Sequence, residues 1–188
     1  LPSLYLPQIS WFAAFKSGEP IVIEVNENFQ KQTLRNRCYI DSPNGRLPLS
    51  IPIDRSNFSD KGKCLMRDVR LSRQLDWQHQ HWFAFETSYY NSPFFEYLQD
   101  DFRPIYEREW TYLIDLNETL IERCLNILEI DTLPSKTNGF IGIDRLLNAD
   151  AIPTKEYYQV YKHKHGFLPD LSIFDLLMNM GPEAALYL

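Results

Sequence analysis

The sequence predicts a mixed α/β fold in a single domain: a small mixed β-sheet with flanking helices and a helical middle segment. Three observations point there. The β-branched run Ile21-Val22-Ile23-Glu24-Val25 follows an extended opening and a short amphipathic stretch, the order of a β-α-β start. Two apolar runs then flank Ser42-Pro43-Asn44-Gly45, a hairpin signal. From Trp77 to Ile130 the apolar residues recur at three and four, the helical period. A length of 188 residues suits one domain over 1–188, and no linker, repeat or low-complexity segment divides it.

Taken in order, Leu1 to Pro7 is extended because its prolines hold their neighbours out of the helical region. Gln8 to Lys16 puts Ile9, Phe12 and Ala13 on one face, a short helix closed by Ser17-Gly18. Residues 21–25 read as a strand buried on both faces. Arg37 to Asp41 and Leu47 to Ile53 are the hairpin strands, Asp54 to Lys63 has loop composition, and Met66 to Leu71 alternates weakly as a further strand. Trp82, Phe85, Glu86 and Tyr89 share a helical face before Ser92-Pro93 interrupts. Two more helices follow on the stripe from Phe102 to Leu128. Tyr157 to Lys162 alternates as a strand, and a last helix ends near Asn179 with Gly181-Pro182 as its stop.

Composition excludes several functions. The net charge of -6 disfavours a nucleic-acid partner, since a polyanion is not concentrated by a negative chain. Only 7 glycines occur, and neither a dinucleotide-binding nor a phosphate-loop motif is present. No run approaches the length of a membrane span, and no signal peptide is evident, so a cytoplasmic location is expected. Three cysteines far apart, Cys38, Cys64 and Cys124, fit reduced thiols. Asn57-Phe58-Ser59 and Asn117-Glu118-Thr119 match the glycosylation pattern, which matters only for a secreted chain. The 27 aromatic residues (4 Trp, 11 Tyr, 12 Phe) fill a core or build flat surfaces for sugars or bases.

Polar residues concentrate at Asn28, Gln30, Lys31, Arg35, Asn36 and Arg37, between the buried strand and the hairpin. Arginine's planar fork makes this a clamp for a phosphate or carboxylate, with amides adding directional contacts; a solvated loop is the alternative. His79 with His81, and His163 with His165, form two H-x-H pairs, but the first lies in a helical pattern where alternate side chains diverge, so no metal site is assigned. His81, just over one turn before Glu86, is a candidate general base, with a hydrogen-bonded helix-start histidine as the alternative. Trp82, Tyr89 and Asn91 belong to an aromatic crowd around Asn91-Ser92-Pro93 that serves as a sugar-stacking wall or as core packing. No G-x-S-x-G elbow supports a serine hydrolase. Asp170, Asp175 and Glu183 surround a buried-looking helix, where pairing with the arginines near residue 36 would offset their burial.

Four stretches together resemble a family. They are Tyr5-Leu6-Pro7 with Trp11-Phe12; Gln30-Lys31 with Arg35-Asn36-Arg37; His81-Trp82, Tyr89 and Asn91 to Phe95; and Phe167-Leu168-Pro169-Asp170-Leu171-Ser172 running on through Gly181-Pro182-Glu183. In that order they resemble the WbqC-like family, in its short form, across nearly the whole chain. Longer relatives open with a polar H-Q-P where this chain has Leu1, Pro2 and Ser3. The resemblance implies a bacterial protein of surface-polysaccharide synthesis: a transferase whose partner is a sugar or sugar nucleotide, with aminoacyl transfer as the proposed chemistry. It names no cofactor. His81 and Glu86 would then be catalytic, and Asn28, Gln30, Lys31, Arg35, Asn36, Arg37, Trp82, Tyr89 and Asn91 would bind substrate. The alternative is a binding or assembly protein of the same family without chemistry.

Overall fold

A computed structural model of the chain describes residues 1–13, 15, 20–142 and 154–188. The opening segment is extended and buried. Tyr5 N–H donates to the Leu34 carbonyl, and a parallel bridge pairs Pro2 with Glu24. Helix α1 (Ile9–Ala13) follows, burying Ile9, Trp11 and Phe12. The expected closure at Ser17-Gly18 lies outside the described residues.

Strand β1 (Val22–Ile23) is the paired part of the β-branched run and lies parallel to β6 (Ser135–Lys136). The hairpin forms as its turn chemistry requires: β2 (Arg37–Ile40) runs antiparallel to β3 (Leu47–Ser50), with Gly45 at φ +94° in the connection. Strand β4 (Ile53–Asp54) pairs antiparallel with β5 (Arg70–Leu71). Among the described residues the fold is thus mixed α/β, with its strands in three two-stranded pairs, one parallel and two antiparallel. Two expected strands change. Met66–Asp68 is a single 3₁₀ turn, leaving only Arg70–Leu71 to pair. Tyr157 to Lys162 alternates in burial but has no neighbouring strand; it runs as an irregular segment into α5 (Lys162–His165).

The helical middle forms α2 (Trp77–Tyr89), α3 (Phe95–Glu107) and α4 (Leu113–Ile127). Helix α4 buries Leu113, Leu116, Leu120, Ile121 and Cys124, the spacing read from the sequence. Helix α6 (Ile173–Met180) is buried on nearly all sides, and its Ser172 cap accepts from the Phe174 N–H. The Phe174 ring centroid lies 4.2 Å from that of Phe85 and 5.0 Å from that of Phe102, which fastens α2, α3 and α6 together. Gly181, at φ +54°, turns the chain into a closing 3₁₀ helix (Gly181–Tyr187). Asn117 is buried in α4 and donates to Ser3 Oγ and the Arg35 carbonyl, so it presents no amide for glycosylation.

Candidate functional site

A solvent-facing concavity lies where α2 and α3 meet. Asn91–Phe94 connects the two helices, and Glu86, Tyr90, Phe95, Glu96 and Gln99 line a groove of about 570 Å³. Glu86, in the last turn of α2, and its C-terminal cap Tyr90 stand one turn apart, while Glu96 and Gln99 stand nearly one turn apart on α3, so each pair faces the same way. The Trp82 indole Nε1–H donates to Glu86 Oε1 at 2.8 Å, fixing one carboxylate oxygen. The Trp82 ring is itself buried, 6.1 Å from Phe95, with the Arg103 guanidinium 5.9 Å over it. The groove therefore combines an oriented carboxylate, a second carboxylate, an amide and aromatic edges, and among the described residues no Lys or Arg lines it. That set suits hydrogen bonding to hydroxyls and packing on a sugar's C–H face better than holding a phosphate.

His81 lies away from the groove. Burial pushes its imidazole from 6.5 down to about 4, against a hydrogen bond to the Ser50 main chain that favours the charged form. Its Nδ1 lies 2.8 Å from the Tyr5 hydroxyl, which lies 2.7 Å from the Tyr106 hydroxyl. The ring is buried and hydrogen-bonded on both sides, and it does not line the α2–α3 groove. Tyr89 is likewise core: it is buried and donates to Asp175 Oδ1 at 2.6 Å. Asn91 is exposed at the helix connection.

The polar cluster divides. Arg35 is buried and donates to both oxygens of Glu27, at 2.9 and 2.5 Å, so its fork is occupied and is not an anion clamp. The Asn36 amide donates to the Ile51 carbonyl across the hairpin edge. Asn28, Gln30 and Lys31 are exposed on the loop, and half-buried Arg37 bonds Ser50 Oγ through Nε at 2.8 Å. Ser50 is where the cluster and His81 come together: Arg37 reaches its hydroxyl and His81 its main chain. Neither Lys31 nor Arg37 lines the α2–α3 groove.

The C-terminal carboxylates do not pair with arginines near residue 36. Asp170 accepts from Ser10 N–H and Oγ–H, both at 2.9 Å, and Asp175 accepts from tyrosines. The two H-x-H pairs stay apart: His79 faces Asp76 on the surface of α2, and His165 faces Asp41 beyond the hairpin. Among the described residues no three His, Cys, Asp or Glu side chains converge as a metal site needs. All three cysteines are free and buried, and burial pushes the Cys38 and Cys124 thiols up, away from nucleophilic character.

Sequence comparison places this architecture. The profile of the WbqC-like protein family matches residues 3–145. The chain belongs to this family. Every residue lining the α2–α3 groove lies inside the family match, whereas α6 lies beyond it. Uncharacterized protein Rv1507c of Mycobacterium tuberculosis is 26% identical over 223 residues, covering 99% of this chain and 94% of that protein. No solved structure matches. Glu96 and Gln99 were not singled out in the sequence. The signal lay in their position on the first turns of the helix after the Ser92-Pro93 break, which folds α3 back along α2.

Proposed function

We propose that this WbqC-like protein is a transferase acting on a sugar in bacterial surface-polysaccharide synthesis, with the α2–α3 groove as the sugar site. The observation that carries this reading is Glu86: its Oε1 is held by the Trp82 indole inside a groove with a tyrosine and an amide. The fixed carboxylate is the group placed to accept a proton. The sugar's hydroxyl or amine forms the new bond to an acyl carbon of the donor, the donor's leaving group departs with the electron pair, and Glu86 takes the proton. Among the described residues no Lys or Arg lines the groove, Arg103 standing over the Trp82 ring beside it, which favours the sugar ring as its occupant over a nucleotide's phosphates.

The test is a thermal-shift and NMR titration against neutral sugars, amino sugars and sugar nucleotides, on wild type, Glu86→Gln, Glu96→Gln and Arg37→Ala. A ligand at about 100-fold its Kd adds about 2.7 kcal/mol of stability. The reading expects a sugar-dependent shift that Glu86→Gln and Glu96→Gln weaken and Arg37→Ala leaves in place. Equal shifts in all four proteins, or none with any sugar, would sink it. A second reading, a binding or assembly protein without chemistry, is favoured by the engaged state of His81 and by Phe83, Tyr90 and Tyr97, all exposed on α2, its C-terminal cap and α3. It expects sugar binding without turnover, or a partner contact weakened by Phe83→Asp.

A further inference from the structure

Two exposed rings flank Glu86 along α2. Phe83, Glu86 and the cap residue Tyr90 fall at i, i+3 and i+7, the spacing that puts side chains on one helix face. Phe83 is 62% exposed and Tyr90 77%, so one ring stands in solvent a turn before the carboxylate and another a turn after it. Between them the Trp82 indole fixes Glu86 Oε1 at 2.8 Å. Helix α3 repeats the spacing, with Glu96, Gln99 and Arg103 also at i, i+3 and i+7. Trp82 spans the seam between the two rows, its ring 6.1 Å from Phe95 and 5.9 Å from the Arg103 guanidinium.

The exposed rings do not join into an apolar patch. Glu86 lies between them on α2, and Glu96 and Gln99 line the same groove from α3. An apolar protein face laid over this surface would bury two carboxylates without a counter-charge, whereas sugar hydroxyls donate to carboxylates while the rings cover C–H faces. At the far end of the α3 row, Arg103 donates Nε to Glu107 at 2.9 Å, and both side chains stay half exposed within reach of further hydroxyls. Length points the same way. The seven residues from Phe83 to Tyr90 rise about 10 Å, the length of two units of an extended glycan. The groove's volume of about 570 Å³ is also more than one hexose fills.

We propose that the α2–α3 groove takes an extended oligosaccharide, with Phe83 and Tyr90 stacking on the sugar units to either side of the one that meets Glu86. On the sugar reading of the groove, from which this follows, the acceptor is a glycan chain rather than a single sugar. Because a ring stands on each side of Glu86, the unit that reacts is an internal one, and the transferred group decorates the chain without lengthening it.

Calorimetric titration of the full chain with β-1,4-linked glucose and β-1,4-linked N-acetylglucosamine, each as single sugars and as oligomers of increasing length, tests this. Affinity should rise by about tenfold or more between one unit and three, then level off. Phe83→Ala and Tyr90→Ala should each lower the affinity for three units by about fivefold to tenfold, and the double variant should remove the gain with length. Phe140→Ala removes an exposed ring beside the Ile141 N–H that bonds Glu24, and should change nothing. Single sugars bound with no gain on lengthening would overturn the proposal and leave the sugar site standing. A gain that survives the double variant would overturn it as well. Binding of no member of either series would remove the sugar reading together with it. Self-association abolished by Phe83→Ala, seen by sedimentation, would give the rings to a second copy of the chain instead.

Discussion

At the scale of single residues, burial decides what a charged or small side chain does. Arg35 looked like the centre of an anion clamp, because sequence shows a guanidinium and its neighbours but not the carboxylate eight positions earlier that takes its fork. With both partners under a tenth exposed, Arg35→Ala leaves Glu27 buried without its cation. We expect a loss of about 3–5 kcal/mol in urea denaturation, partly restored in the Arg35→Ala/Glu27→Gln double variant. Gly181 is governed by space. A Cβ there would meet the Phe94 ring at 2.4 Å on a backbone at φ +54°. Gly181→Ala should cost about 3 kcal/mol by the same measurement, from left-handed strain plus overpacking.

At the scale of elements, α2 serves two surfaces. Its inner face carries Trp77, His81, Phe85 and Tyr89 into the core, and its other side contributes Glu86 to the groove. The sequence put Trp82, Phe85, Glu86 and Tyr89 on one face and marked the break at Ser92-Pro93; the structure keeps the helix and the break but turns Glu86 to the groove. Which members of that face point inward was not readable, because aromatic residues serve core and binding wall alike. His81 shows the consequence. Its folded value is lowered from 6.5 to about 4, so the unfolded chain binds more protons between those values and stability rises with pH across that window. His81→Gln should flatten this rise, seen as a smaller gain in unfolding free energy from pH 4.5 to 6.5.

At the scale of the whole molecule, two buried groups titrate in opposition. His81 makes the protein more stable as pH rises above about 4, and Asp175 makes it less stable up to about 6. Global unfolding therefore shows a shallow pH profile between these values, and Asp175→Asn should expose the His81 slope as a steeper gain with pH. The sequence by itself determined the mixed α/β class, the hairpin at Ser42–Gly45, the three middle helices and the last helix with its glycine stop. Each rests on a period or a turn residue that acts within a few positions of chain. It also carried the motifs of the WbqC-like family. Tertiary structure alone decided that the strands pair two by two, and that Glu27 rather than a ligand receives Arg35. It likewise decided that Tyr157 to Lys162 is tied down by side chains instead of a strand, and that α3 folds back to close a groove on Glu86. Those outcomes depend on partners up to more than a hundred positions apart, such as His165 and Asp41, and local pattern does not encode which distant group satisfies a buried charge.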